Sequence, residues 1–360
     1  VAFYVPRLTR SDLDFTDLFC GAGGSATGLV EAGYILRLAA NHDPVAIRTH
    51  MANHPMAEQI CEDLNTYEKR RLPRTRILWG SPICTEISPA GGRKRTRGQT
   101  EIEVEGAAKP ETFERTRATA LDIIAAVDVH RYDAVLCENV LEFATDWELF
   151  DWWLSGMKIL GYNHQIVCAS PPTSAGSTTR SRRSCATGCM CVFTREGIPL
   201  PDLEVRPEAI CPQCGPVQAR QIWRNPRRRT IGKWGVQYDY RCPNRACGHM
   251  ILEPITRQVA EVIDWDLPGT RVGDGRPDRK KFTPYAPSTR ARIALGLTMF
   301  GTEPHIAMLR RNGTAIPTTG PVPALAAKGR HHALIIPGGR KGLPRTTSEP
   351  LTTVATKQHH

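Results

Sequence analysis

No apolar run in the 360 residues approaches the roughly 20 that a membrane-spanning helix needs, so no association with a membrane is expected. The opening stretch, VAFYVPRLTRSDLDFTD, lacks an apolar core and a small-residue cleavage site, so no secretory signal is read there. Acidic residues are in short supply. Asp and Glu number 36 against 47 Lys and Arg, leaving a net charge of +11 and a pI near 9.2. That balance argues against a polycationic partner and points to a polyanionic one, nucleic acid ahead of a membrane surface. A disulfide framework is also unsupported. Twelve cysteines in so long a chain, several in CxxC-like spacing, fit metal binding in a reducing cytoplasm. An initial Met is missing too, and from Val1 an incomplete gene product is expected. With 41% hydrophobic and 23% charged residues, what remains is a globular chain long enough for two or three domains.

What is present begins with LDFTDLFCGAGGSATGLVEAGY. A β-favouring run, Phe15 to Phe19, breaks into Gly21, Gly23 and Gly24 and continues with helix-compatible spacing. Strand, glycine turn and helix form the first unit of a doubly wound α/β sheet, whose ligands sit at the carboxyl ends of the strands. The glycines let backbone approach a cofactor, and the helix start offers unpaired N–H groups. In WGSPICTEISPAGG, a lone Cys84 follows a strand-like run and precedes a turn. Taken alone it is either a small buried hydrophobe or a nucleophile at a strand end. After a helix-like segment, roughly 111–129, YDAVLCENVLEF reads as a buried strand ending in Glu138-Asn139-Val140.

In this order, DLFCGAGG, the Cys84 segment and Glu-Asn-Val resemble the motifs of the cytosine-C5 DNA methyltransferases. The resemblance covers about residues 14–143 with specific motifs and the remainder more weakly. It implies a Rossmann-like S-adenosylmethionine-dependent methyltransferase sheet with a smaller, irregular target-recognition domain. It implies S-adenosyl-L-methionine as cofactor and double-stranded DNA as partner. The residues it assigns to the cofactor are Phe19, Gly21, Gly23, Gly24, Asn41, His42, Asp63, Leu64 and Pro82. Asn41 stands where the family carries a ribose-binding Glu. Cys84 falls on the nucleophile, with Ile83 and Thr85 replacing the usual Pro and Gln, and Ser88 and Gly91 on the loop that closes over DNA. Glu138 falls on the carboxyl group that holds the base. The chemistry needs both: a thiolate adds at cytosine C6, and a carboxyl at N3 and N4 stabilises the charge developing on the ring. The base must be flipped out of the duplex to be reached.

The family next requires Gln-x-Arg-x-Arg and a strand. Here SPPTSAGSTTRSRRSCATGCMCVF supplies Arg180 and Arg182 at the right mutual spacing, but too many residues precede the strand. Shifted by one nucleotide, codons for RRSCATGCM can encode PQLRDRMYV, nearly the missing motif. Residues 171–191 are therefore read as out of frame relative to an ancestral gene, with an ordinary divergent loop as the other reading. In the first case Cys185, Cys189 and Cys191 carry no function.

Further on, Cys211 and Cys214 pair as C-x2-C, and Cys242 and Cys247 as C-x4-C, with 27 residues between the pairs. Four thiolates so spaced suit a closed, structural Zn2+ site; His249 is either a spare ligand or a turn residue. Between the pairs, residues 220–241 carry seven Lys and Arg against one Asp, interleaved with Trp223, Trp234, Tyr238 and Tyr240. Such a ribbon suits phosphate contacts and groove insertion, and the resemblance puts it in the target-recognition region. A Pro- and Gly-rich connector, a short amphipathic helix (TRARIALGLTMFG) and two copies of a short repeat (GPVPALAAKGRHH and EPLTTVATKQHH) close the chain. No Gly-Asn-x-Val segment, the family's last motif, is found, which adds to the expectation of a fragment.

The expected organisation is a catalytic domain over 1–195, a zinc ribbon opening the recognition domain over 196–265, and its remainder over 266–360. The expected function is DNA cytosine-5 methylation by a cytoplasmic monomer of bacterial or phage type, with a restriction partner left open. The rival readings are a non-catalytic zinc-dependent DNA-binding protein on a degenerate scaffold and an RNA cytosine-5 methyltransferase.

Overall fold

The computed structural model describes residues 13–83, 110–169, 188–255, 258–266, 269–277, 279–309, 313–320, 332–337 and 354–355. They fall into two compact units. The first draws on Val1–Ser170, Thr187–Arg206 and Arg220–Arg241; the second on Pro171–Ala186, Pro207–Ala219 and Cys242–His360.

The first unit is an α/β sheet. Strands β1 (Asp14–Leu18), β2 (Ile35–Asn41), β3 (Glu58–Cys61), β4 (Ile77–Gly80), β5 (Ala134–Val140), β6 (Tyr162–Ala169) and β7 (Gly188–Arg195) line up in the order β3-β2-β1-β4-β5-β7-β6. Pairing from β3 through to β5 is parallel, and β7 runs antiparallel to both its neighbours. The strand order reverses between β1 and β4, which is where a doubly wound sheet opens its ligand crevice. β1 is buried at four of its five positions, as a central strand covered on both faces must be.

Local chemistry explains the crossovers. Helix α1 (Gly24–Glu31) starts from Gly23, whose φ of 101° is left-handed and open to glycine at little cost. Helix α2 (Pro44–Asn53) has Pro at its first position and Asp43 as cap, accepting from the Val45 N–H at 2.8 Å. Helix α3 (Pro110–His130) buries Ala120, Ile123, Ala126 and Val127 along one stripe. A short helix, α4 (Leu141–Thr145), leads to α5 (Phe150–Ile159), which buries Phe150, Trp153, Leu154 and Met157. The Trp153 indole donates to the Ala120 carbonyl at 2.9 Å and meets Phe143 and Phe193 edge-on, joining α5, α3 and the sheet.

The MCVF run read as a strand is the middle of β7. Cys191 and Cys189 are buried there, opposite Cys137 and Cys168 respectively. Residues 171–187 of the segment read as out of frame lie outside the described residues; 188–191 are in β7. The basic ribbon is a hairpin of β8 (Arg220–Trp223) and β9 (Tyr238–Arg241) in antiparallel register, and it belongs to the first unit.

In the second unit a hairpin, Glu208–Cys211 with Gly215–Gln218, precedes a four-stranded sheet whose members are His305–Met308, Ala315–Pro317, His332–Ile335 and Val354–Ala355. The amphipathic helix, Pro287–Phe300, packs Ile293 on Ala307, Ala333 and Ile335. Gly296 permits that approach, since a Cβ there would lie 2.4 Å from His305 Nε2. Most of the repeat falls outside the described residues. No helix among the described residues is long and apolar enough to cross a membrane.

Truncating Trp153 to Ala removes a buried indole and strands a carbonyl, so urea unfolding should show a loss of about 3–5 kcal/mol. The same change at Trp152, which is 58% exposed, should cost within about 0.5 kcal/mol.

Candidate functional site

A cavity of about 80 Å³ opens at the carboxyl ends of the strands that flank the crossover point, lined by Phe19, His42, Asp63, Leu64, Asn65, Ile83 and Thr119. Phe19, His42, Asp63 and Leu64 are thus gathered from the segments that leave β1, β2 and β3. Phe19 has a φ of 60°, a costly conformation for a bulky residue. It turns the chain sharply where β1 gives way to the glycine loop. A larger cavity, about 350 Å³, lies along β6 at the edge of the sheet, lined by residues such as Gln165, Glu204, Gln221 and Trp223. We attach the chemistry to the smaller one, because it sits at the crossover and holds the acidic and aromatic groups of the motifs.

Gly21, Gly23, Gly24, Asn41 and Pro82 are not in the cavity lining; they shape the chain beside it. A Cβ added at Gly21 or Gly24 would meet nothing within 4 Å, so backbone there is open to an approaching ligand. At Gly23 a Cβ would come within 2.9 Å of His54 Cδ2. The glycine loop is held from behind by α2. Asn53 Nδ2 donates to the Ala22 carbonyl at 2.6 Å, and His54 Nε2 lies 3.2 Å from the Gly23 carbonyl and 3.0 Å from Thr27 Oγ1. Asn41 has both ends of its amide engaged with backbone. Nδ2 donates to the Cys20 carbonyl at 2.5 Å and Oδ1 accepts from the Asp43 N–H at 2.8 Å. The amide of Asn41 therefore ties two strand ends together, and the next residue, His42, is the one that reaches the cavity.

Across the cavity, the chain leaving β4 is fixed at its last two described residues. The Asn139 amide donates to the Pro82 carbonyl at 3.0 Å, and the Ile83 N–H donates to Thr119 Oγ1 at 3.2 Å. Cys84, Ser88 and Gly91 lie outside the described residues, as do Arg180 and Arg182. Glu138 precedes Asn139 on β5, with its carboxyl close to Gly188 of β7: a Cβ on that glycine would lie 3.8 Å from Glu138 Oε1. Burial raises the Glu138 pKa and so favours the protonated acid. Asn65 and Thr119 are the lining residues that the motifs did not name. Thr119 did leave a signal, as a polar residue on the apolar stripe of α3.

Four sulfurs gather in the second unit. The ligand atoms of Cys211, Cys214, Cys242 and Cys247 all lie within 4.8 Å of one another. Each pair ends in Cys-Gly with a left-handed glycine, Gly215 at 75° and Gly248 at 65°, so both turns fold back toward the cluster. A backbone hydrogen bond from Met250 lowers the Cys247 thiol to about 7, which favours the thiolate. His249 is not in the cluster; its Nδ1 meets the Cys242 carbonyl at 3.0 Å. The donor set and its closure fit a tetrahedral thiolate-bound metal.

The hairpin's charges divide into two kinds. Arg224 forms a two-point pair with Asp239, Arg220 reaches Glu204, Arg229 reaches Asp151 and Lys233 reaches Glu142. Arg227 and Arg228, at the turn, are exposed.

A parallel sheet with one reversed strand, a glycine loop after its first strand and a crevice at the crossover holding one acid, Asp63, define a Rossmann-like α/β sheet. The comparisons narrow this. Residues 13–171 match the family described as C-5 cytosine-specific DNA methylase. It is 28% identical over 96 residues to the Type II methyltransferase M.AgeI of Thalassovita gelatinovora, covering 24% of this chain and 22% of that protein. It is 33% identical over 90 residues to M1.HphI of Haemophilus parahaemolyticus, covering 23% and 24%. The matched stretch thus spans about a quarter of those relatives' own length. Among solved structures, a Spodoptera frugiperda DNMT2 mutant aligns over 78% of this chain and 65% of its own, at 16% identity and a TM-score of 0.43. A putative DNA modification methyltransferase from an E. coli prophage aligns over 61% of each chain, at 16% identity and 0.37.

Under the glycine loop, burial pushes the Asp17 carboxyl up to about 7, against a hydrogen bond from Ser25 that lowers it. The native state then keeps a proton that the unfolded chain sheds near pH 3.9. This contribution to stability is full below about pH 4 and is lost as pH rises through 7. The gap in unfolding free energy between the native chain and Asp17→Asn, from urea titrations, should therefore move in the variant's favour from pH 4.5 to 7.5, by up to about a few kcal/mol. His50, lowered to about 4 by burial and by His54, acts with the opposite slope in both chains and cancels in that difference.

Proposed function

We propose that the chain is a DNA (cytosine-5-)-methyltransferase acting on a flipped-out cytosine in duplex DNA. The observation that carries the reading is the tether from Asn139 to Pro82. It joins the Glu-Asn-Val strand to the segment that enters Cys84, on the same rim as the cavity of Phe19, His42, Asp63 and Leu64. The apolar faces of Phe19, Leu64 and Ile83 beside one carboxylate suit a purine ring with an amino group. We assign the cavity to the adenosyl end of S-adenosyl-L-methionine, with Gly21, Gly23 and Gly24 passing its polar tail and Asn41 acting through backbone rather than on the ribose. The bound cofactor supplies an electrophilic methyl group.

On this reading the Cys84 thiolate forms a bond to C6, which makes C5 nucleophilic. The neutral Glu138 carboxyl donates to N3 and accepts from the N4 amino group, stabilising charge on the ring. Once C5 carries the methyl group, a base removes its proton and the electron pair expels the Cys84 sulfur from C6, restoring the aromatic ring. Arg180 and Arg182 are assigned to the base and its phosphate. Arg227 and Arg228, at the turn of the hairpin, are assigned to duplex phosphates, since Arg220, Arg224 and Arg229 are already paired with Glu204, Asp239 and Asp151 within the protein. We assign a structural Zn2+ to Cys211, Cys214, Cys242 and Cys247, where four thiolates leave no position open for catalysis.

Duplex DNA containing 5-fluorocytosine, which has no C5 proton to lose, should trap a denaturation-resistant adduct in the presence of S-adenosylmethionine. Cys84→Ala should give none, and an adduct that survives that change would refute the assignment of the nucleophile. The purified chain should also release one zinc to a thiol-reactive mercurial. Removing it should abolish amide-exchange protection around residues 208–218 and 242–252 and leave the dissociation constant for S-adenosylmethionine within about threefold, because the cavity is built wholly from the first unit.

A further inference from the structure

The cavity has two walls. Asp63, Leu64 and Asn65 form one, on the segment after β3; Thr119 of α3, with Ile83 hydrogen-bonded to it, forms the other. Behind them lies a buried ion pair that no motif names. Lys69 Nζ stands 2.9 Å from Asp122 Oδ1, with the side chains only 9% and 10% exposed. The same ammonium donates to the Tyr67 carbonyl at 3.0 Å and to the Leu64 carbonyl. Its three protons are thereby used, two on the wall segment and one on the helix. Asp122 lies one turn beyond Thr119, on the same side of α3. A further bond fastens the segment to the helix, from His130 Nε2 to the Lys69 carbonyl at 2.7 Å. Leu64, Tyr67 and Leu72 pack with Ala120, Ile123 and Val127 in a single core, so the two elements would meet without any charge.

A buried pair in a place where apolar packing already suffices is weak evidence for stability, since desolvation offsets most of the attraction. Its distinct property is direction. An ammonium bonded to two named carbonyls and one carboxylate fixes the segment's height on the helix, which a greasy contact leaves free to slide. Asp122 Oδ2 has no hydrogen-bond partner among the described residues. Burial raises the Asp122 pKa, Lys69 opposes that, and the nearby charge of Asp63 adds to it.

We propose that Lys69 and Asp122 are positioning residues for the cofactor: the pair sets the gap between the Asp63–Asn65 wall and the wall that leads into Cys84. The proposal rests on reading the cavity as the S-adenosylmethionine site. Removing the pair lets the two walls shift, and affinity falls even where the fold survives.

The test uses the full chain and two readouts, the dissociation constant for S-adenosylmethionine by calorimetry and the thermal midpoint. Lys69→Met should raise the dissociation constant and lower the midpoint, because it leaves Asp122 buried without its cation. The double change Lys69→Met with Asp122→Leu removes both charges. It should return the midpoint to within a few degrees of the native chain while the dissociation constant stays raised by tenfold or more. A double variant that binds as tightly as the native chain would overturn the proposal and leave the cofactor reading standing. A native chain with no measurable affinity for S-adenosylmethionine would overturn both.

Discussion

The rim of the sheet depends on loop carbonyls finding donors once the strand ladder has ended. A parallel sheet satisfies its backbone only within the strands, and the chain that leaves each carboxyl end carries polar groups that must be paired or wetted. In this protein three asparagine amides supply the donors. Asn41 takes the Cys20 carbonyl, Asn53 the Ala22 carbonyl and Asn139 the Pro82 carbonyl. Each tie joins a loop to a neighbouring element rather than to itself. The glycine loop is thus gripped by β2 and α2 together, and the segment after β4 is gripped by β5.

The same economy governs charge. Buried acids at this rim, Asp17 and Glu138, are both held toward their neutral forms by desolvation. A neutral carboxyl can donate as well as accept, which a surface carboxylate cannot. The hairpin shows the opposite arrangement. Its arginines Arg224, Arg220 and Arg229 are matched by Asp239, Glu204 and Asp151, and Arg227 and Arg228 stand exposed at the turn.

Much of the first unit was legible because its signals are local. Phe15 to Phe19 followed by glycines reads as strand and turn, and β1 ends at Leu18 with Phe19 already in the left-handed region. The helix expected near 111–129 spans Pro110–His130, and the connector before TRARIALGLTMFG ends where the helix Pro287–Phe300 begins. What could not be read depends on contacts between distant residues. Thr119 stands out locally only as a polar residue on the apolar stripe of its helix; its partner, the Ile83 N–H, lies 36 residues away in sequence. Lys69 sits in a run of basic residues, Lys69-Arg70-Arg71, that looks solvated, yet it alone of the three is buried. Asn41 could be read only as a departure from the Glu that the resemblance expects there; its bonding to a carbonyl 21 residues upstream is a long-range contact. The hairpin was visible as a basic ribbon, but not that its sequence would join the first unit while the cysteines on either side join the second.

The reversed strand has a consequence for synthesis. β7 is the last strand of the first unit's large sheet to be made, yet it lies inside, between β5 and β6. While the nascent chain leaves the ribosome, the outer side of β5 stays open until residues 188–195 emerge. During that interval Val135 and Cys137, later fully buried, border an unpaired strand. Unpaired edges of this kind recruit other chains. A ribosome that stalls or terminates before residue 188 therefore releases an adhesive product, whereas one that passes residue 195 releases a sheet able to close.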